Sequence, residues 1–364
     1  MPRPLLTIVD RFIIKKYLGT FVFTLAIFVV IIVVFDISEK IDDFLKNDAT
    51  LYNIVFEYYA GFIPFYLNFL SPLINFIAVI FFTANMADKT EIVPILCGGS
   101  SFNRFLRPYF IASSLIFVVS LVANVYLIPY TNKLFNHFQN TYIDKKDPTK
   151  NDIHMQLDKS TFVYMQSFNS EKNIGYQFSL ERFDKDTLKQ KLVANRIEYD
   201  SLKRQWKIYD FSTRYVNGLK EKMVSGTQKD TVLDMRPADF EALLYDNAYQ
   251  AMSTSELNKN IEREKIRGTG IMVNLQLEKF RRFVYPLSSY VLTIIGVSIS
   301  SRKVRGGVGL PLGIGIFLCF AYIVTVQFAN VFALKGGLPA VIAVFIPNLT
   351  FGALGLYLLN RAPK

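Results

Sequence analysis

Six long stretches without a single charged residue limit what this chain of 364 residues can fold into: Tyr17–Phe35, Tyr58–Ala87, Pro108–Asn132, Phe283–Ser301, Gly306–Leu334 and Gly336–Asn360. A helix needs about 20 apolar residues to cross roughly 30 Å of hydrocarbon, and each stretch has 19 or more. Core helices of soluble proteins are seldom so long and uncharged on every face. The chain therefore reads as an α-helical polytopic membrane protein with six transmembrane helices, three before and three after a large insert. Arg11, Lys15 and Lys16 precede the first stretch as in a secretory leader. That stretch ends in Asp36–Ile37–Ser38–Glu39 without a small-residue cleavage site, so it is expected to be a retained helix.

Basic residues set the expected orientation. With the N-terminus inside, Arg3, Arg11, Lys15, Lys16, Lys89, Arg104, Arg107, Arg302, Lys303, Arg305, Arg361 and Lys364 fall in the cytoplasm, whereas the short outer loops carry only Lys40, Lys46 and Lys335. The positive-inside rule then puts both termini in the cytoplasm. The same asymmetry accounts for the formal charge of +11 without a nucleic-acid partner. Cys97 lies in a cytoplasmic loop and Cys319 within a span, so no intrachain disulfide is expected.

Composition changes between the third and fourth stretches. Thr161–Phe168, Ile174–Phe183, Lys191–Tyr199 and Gln205–Phe211 are rich in Val, Ile, Tyr and Phe and are broken at about ten-residue intervals by Asn, Ser and Asp. That rhythm suits an antiparallel sandwich or jelly roll, expected on the side away from the cytoplasm. A helix should close the insert, with Ser253 as its cap, Glu256 completing a capping box and Gly268 just past its end. The expected domains are a first bundle over 1–129, an all-β insert over 130–279 and a second bundle over 280–364.

Little here suggests catalysis. His137 and His154 stand alone and in no metal-ligand spacing. No G-x-x-x-x-G-K-[ST] is present, so the chain has no phosphate loop of its own. The glycines at Gly306–Gly309 and Gly313–Gly315 are read as close-packing residues of a membrane helix. Ion-driven transport would ordinarily leave charged groups within the spans, and Glu57 sits only at the outer edge of the second, which favours an external energy source.

The first cytoplasmic loop, about 88–100, is short, amphipathic and expected to be helical up to Gly98–Gly99. A helix lying along the membrane with an acid near its start can dock in a groove of a soluble partner, the acid pairing with an arginine. It can equally be an interfacial helix that only joins two spans. The run Thr90–Glu91–Ile92–Val93–Pro94–Ile95–Leu96–Cys97–Gly98–Gly99–Ser100 resembles the E-L-x-x-x-x-x-x-G-[IFS] signature of the LptF/LptG permeases, also called the YjgP/YjgQ family. Val9–Asp10–Arg11–Phe12–Ile13 resembles that family's opening L-D-R-Y-I. Arg282–Phe283–Val284–Tyr285–Pro286–Leu287–Ser288 is similar to the start of its second bundle, and Gly337–Leu338–Pro339 with Ile346–Pro347–Asn348 to its last span.

The resemblance covers the chain in order and implies a function. Such proteins pair as LptF with LptG on two copies of the ATPase LptB, which binds the ATP and Mg, and extract lipopolysaccharide from the inner membrane. A periplasmic jelly roll passes the lipid to the bridge formed by LptC and LptA. By resemblance, Glu91 is the acid of the ATPase-coupling helix, with Ile92, Ile95 and Leu96 in the ATPase groove and Gly98 at the helix end. No cofactor is then expected in this chain.

A lipid cavity needs apolar walls for acyl chains and cations at its rim for phosphates. Candidates for the walls are Phe62, Phe65, Phe69, Phe76, Phe283, Tyr290 and Leu292, and for the rim Lys40, Lys133, Lys279, Arg281 and Arg282. Members of the family with a better-known pattern carry a lysine near the outer end of the first span. Here that region reads Phe35–Asp36–Ile37–Ser38–Glu39–Lys40, in which acids dominate and Lys40 follows one turn on. Two other classes compete with the permease reading: a scaffold that transmits force to a periplasmic cell-wall partner, and a membrane-embedded lipid enzyme, which the missing catalytic constellation weakens.

Overall fold

The computed structural model describes residues 6–46, 50–143, 149–237, 239–240, 248–304 and 307–362. Arg3, Arg305, Gly306 and Lys364, used above for orientation and span limits, lie outside them. The chain divides into two compact units, Met1–Ile143 with Leu277–Lys364, and Asp144–Gln276.

Among the described residues six helices are long and apolar enough to cross a membrane: α1 (Ile8–Lys46), α2 (Leu51–Asp88), α4 (Phe102–Ile143), α6 (Met272–Ser300), α7 (Gly309–Lys335) and α8 (Ala340–Asn360). Between α2 and α4 lies the short α3 (Ile92–Cys97), and α5 (Thr254–Arg267) belongs to the second unit. The protein is a multi-pass membrane protein. Its helices outrun the uncharged stretches: α1 has 39 residues, about 58 Å at 1.5 Å per residue, because polar side chains at both ends are helix-compatible wherever water or headgroups receive them.

α2 is the central element, with Ile74, Phe76, Ala78, Val79 and Ile80 fully buried. Lipid tails are as apolar as leucine, so helices in a membrane associate through packing and polar ties rather than a hydrophobic drive. Asn75 of α2 supplies one tie. Its amide donates to the Ser289 carbonyl and the Thr293 hydroxyl of α6, both at 3.2 Å, while Tyr17 of α1 donates to Asn75 Oδ1 at 2.5 Å. Asn68 of α2 and Asn124 of α4 form a second tie, at 2.9 Å. In the second bundle, Tyr322 of α7 donates to Asn348 Oδ1 of α8, and the Asn348 Nδ2 group donates to the Val284 carbonyl of α6, both at 3.0 Å.

Close approach does the remaining work. A Cβ at Gly61 of α2 would lie 2.5 Å from Phe135 Cβ and 2.6 Å from the Thr131 carbonyl of α4. The carbonyl cannot move without the helix. Gly61→Ala is therefore expected to lower stability by about 1–3 kcal/mol, read as a reduced thermal midpoint in detergent; an unchanged midpoint would mean that this crossing is not tightly packed.

The second unit holds the inserted β-sheet together with α5. β1 (Thr149–Gln156), β2 (Thr161–Asn169), β3 (Ile174–Asp184), β4 (Thr187–Asp200), β5 (Gln205–Asn217) and β6 (Lys220–Thr231) form one antiparallel sheet in sequential order. The strand order refines the expected sandwich or jelly roll to a single meander. Pairing is interrupted at one row that crosses every strand, Asp152, Gln166, Gln177, Asn195, Asp210 and Thr227. On alternate strands the row residue has left-handed backbone: Asp152 (φ 53°), Gln177 (φ 49°) and Asp210 (φ 50°).

This row is a crease, and it switches the buried face. Val163, Met165, Phe178, Leu180, Leu192 and Ala194 are buried on one flank, and Phe168, Ile197, Trp206 and Ile208 on the other. Without the switch, a period-2 strand would turn one of these sets to solvent. Met235 and Phe240 complete the core, and the Trp206 indole N–H donates to the Met235 carbonyl at 3.0 Å. At the β4–β5 turn the Lys207 ammonium, 2.9 Å away, and the amides of Lys203 and Leu202 hold Asp200 below the usual carboxylate range. That contribution is present at neutral pH and is lost as pH falls through the lowered value.

α5 begins and ends where expected. Glu256 N–H donates to Ser253 Oγ at 3.2 Å, Ser253 N–H donates to the Glu256 carboxylate at 2.8 Å, and Gly268 closes the helix at φ 61°.

Candidate functional site

The connector between α2 and α4 is built from two backbone breaks around one short helix. Thr90 takes left-handed backbone (φ 56°) just after α2, and the Glu91 N–H reaches back to the Met86 carbonyl at 2.9 Å. α3 then runs for six residues from Ile92. It stops where the Gly98 N–H bonds the Pro94 carbonyl at 2.9 Å and Gly99 turns at φ 85°. Ser101 caps α4 by accepting from the Arg104 N–H at 3.3 Å.

Within this frame Glu91 is the residue that precedes α3, half-buried, and its carboxylate makes no capping hydrogen bond. Ile92 departs from expectation. It is 2% exposed, packed in a cluster with Ile13, Tyr17, Met86, Phe102 and Phe105, so it anchors α3 to the bundle instead of facing outward. Ile95 and Leu96 are half-buried against the same cluster, and the outward face consists of Val93, Pro94 and Cys97. Asp10 in the first turn of α1 accepts two hydrogen bonds from the Arg104 guanidinium of α4, at 2.9 and 2.6 Å.

Toward the other end of the bundle the expected rim cations are largely engaged. Lys40 Nζ donates to the Tyr58 hydroxyl at 2.7 Å and lies 3.6 Å from the buried Asp36 carboxylate, which also accepts from Tyr58 and Tyr59 at 2.8 and 3.0 Å. Arg282 is 1% exposed. Its Nε donates to Glu278 at 2.9 Å and Arg281 binds the other Glu278 oxygen, so Arg282 is not an open rim cation. Lys279 is half-buried, 6.0 Å from the Phe280 ring centre, and Lys133 is exposed.

The aromatic candidates divide in the same way. Phe62 is buried among Phe44, Tyr58, Phe135 and Phe138, and Phe76 and Leu292 are buried in the core shared by α2, α6 and α7, so these three do not line an open cavity. Phe65 is half-buried and edge-on to Tyr66. Tyr290 is half-buried and donates to Ser114 Oγ of α4 at 2.9 Å. Phe69 and Phe283 are exposed, and the Tyr285 hydroxyl ties α6 to the Phe69 carbonyl.

A family model described as "Lipopolysaccharide export system permease LptF/LptG" matches residues 11–361, essentially the whole chain. The chain belongs to the LptF/LptG family. No curated protein matches it. LptF/LptG proteins are transport permeases, and the six helices and the inserted sheet fit that assignment. The α2–α4 connector of this LptF/LptG member holds the run Thr90–Ser100 that resembles the family signature. Glu278, the acid that gathers Arg281 and Arg282, is a site residue beyond those expected from the sequence. Its signal was present, since acids three and four residues before basic ones face them on a helix.

Proposed function

We propose that this LptF/LptG-family protein is the permease subunit of an ABC-type exporter that extracts lipopolysaccharide from the outer leaflet of the inner membrane. On this reading the termini and α3 face the cytoplasm and the β unit is periplasmic. Two LptB-type ATPase subunits bind ATP with Mg and drive the cycle, and a second LptF/LptG-type subunit completes the cavity. The lipid leaves by way of the β unit to LptC-type and LptA-type bridge proteins.

The observation that carries the reading is Glu91 at the start of a helix held by Ile92, with Val93 and Pro94 outward and its own carboxylate unused as a cap. A carboxylate presented at the head of a helix is the group a partner arginine binds with two charge-assisted hydrogen bonds. On the substrate side, Phe69 and Phe283 are the exposed aromatic candidates for acyl-chain contact.

A photo-crosslinking residue at Phe69 tests this. Capture of lipopolysaccharide that depends on the ATPase is the expected result. Persistent failure to capture glycolipid, with the complex assembled, would favour the force-transmitting scaffold.

A further inference from the structure

Helix α1 is fastened to its bundle at its two ends. No residue from Leu18 to Phe35 is buried, whereas Asp10, Ile13 and Tyr17 at one end are 3%, 1% and 0% exposed and Asp36 and Phe44 at the other are each 7% exposed. At the first end Asp10 and Arg104 form a fork, with Oδ1 2.9 Å from one guanidinium nitrogen and Oδ2 2.6 Å from the other. Asp10 also belongs to the first turn of α1, accepting the Thr7 N–H at 2.8 Å while its own N–H approaches Thr7 Oγ1 at 3.3 Å. Arg104 belongs to the first turn of α4, three residues after the Ser101 cap and seven after the last residue of α3.

The pair is only partly buried, with the Arg104 side chain 33% exposed, and such an ion pair contributes little net stability. What a bidentate Arg–carboxylate pair does supply is fixed geometry, which a lysine point charge does not reproduce. The pair thus joins two helix starts rigidly, and one of them is only the Gly98–Ser101 segment away from α3. We infer that the Asp10–Arg104 fork is the polar joint through which a displacement of α3 reaches α1, beside the apolar cluster that Ile92 shares with Ile13 and Tyr17, both fork residues acting as positioning residues. The inference rests on the exporter reading, in which α3 is moved by the ATPase.

The test is made on the whole complex, permease pair with ATPase, reconstituted in lipopolysaccharide-containing vesicles, with ATP hydrolysis and lipid release measured together. Asp10→Asn and Arg104→Lys should assemble and hydrolyse ATP within about twofold of the parent while releasing about fivefold less lipid per ATP. Thr7→Ala, which disturbs the same helix start but leaves the fork, should keep the parent ratio, and the exchange Asp10→Arg with Arg104→Asp should restore most of it.

Three results would overturn the joint: a parent-like ratio in both fork variants, a parallel loss of hydrolysis and release, or an equal effect of Thr7→Ala. If the single variants are lost from the membrane, the exchanged pair decides, since recovery of membrane level without recovery of the ratio also overturns it. A parent complex that hydrolyses ATP but releases no lipid fails the exporter reading instead, and is told apart by that control.

Discussion

Glu91→Ala is expected to leave the permease folded and to weaken its assembly with the ATPase by about 2–5 kcal/mol, more than tenfold in Kd. The two halves of this expectation come from separate observations. Folding is spared because α3 is held by Ile92, 2% exposed, and by Ile95 and Leu96 against the bundle, while the Glu91 carboxylate caps nothing. Assembly suffers because truncating one member of a desolvated charge pair leaves the partner's charge buried without its counterion. Co-purification of the ATPase and the thermal midpoint of the permease alone are the paired readouts. Normal assembly would remove Glu91 from the interface, and a midpoint that falls together with assembly would make its role structural.

Glu278→Ala should be the most damaging single change to the protein itself, at about 3–5 kcal/mol. Glu278 is 6% exposed and is bound by both Arg281 and the almost wholly buried Arg282. Removing it withdraws the carboxylate that compensates two guanidiniums at the start of a membrane helix, where water is scarce. Glu278→Gln keeps an acceptor oxygen and should cost less, and Arg282→Leu placed on the Glu278→Ala background should recover part of the loss, since a buried pair replaced by apolar groups is often tolerated. The level of protein in the membrane and the midpoint in detergent check this order. If Glu278→Ala is as stable as the parent, the cluster is hydrated rather than buried.

The two expectations differ in how far the sequence announced them. Glu91 was visible through its loop: an acid followed by an apolar run and paired glycines is a local pattern, as is the Ser253–Glu256 capping box that begins α5. The six spans were visible because absence of charge over 19 or more residues has few other physical readings. The direction of Ile92 was not visible. A six-residue helix has too few turns for a periodic face, and its orientation is set by Ile13, Met86 and Phe102, all from other segments.

In the β unit the four apolar strands were legible and the two edges were not. β1 and β6 read Thr149–Gln156 and Lys220–Thr231, polar and charged as edge strands usually are. The crease escaped because Asp152, Gln177 and Asp210 adopt left-handed backbone without glycine, so no turn signal marks the row and a strict period-2 reading assigns one flank to the wrong face. At the rim, Lys40 and Arg282 looked like free cations because their acids, Asp36 and Glu278, sit one turn earlier on the same helices and were not paired with them.

The most direct test of the account is affinity purification of the tagged chain from mildly solubilised membranes, with mass spectrometry of co-purifying proteins and lipids. An exporter permease should bring with it a small soluble ATPase, a second six-span relative and lipid A-containing species. A chain recovered alone, or with a cell-wall partner and no glycolipid, would contradict the exporter and leave the scaffold as the reading to pursue.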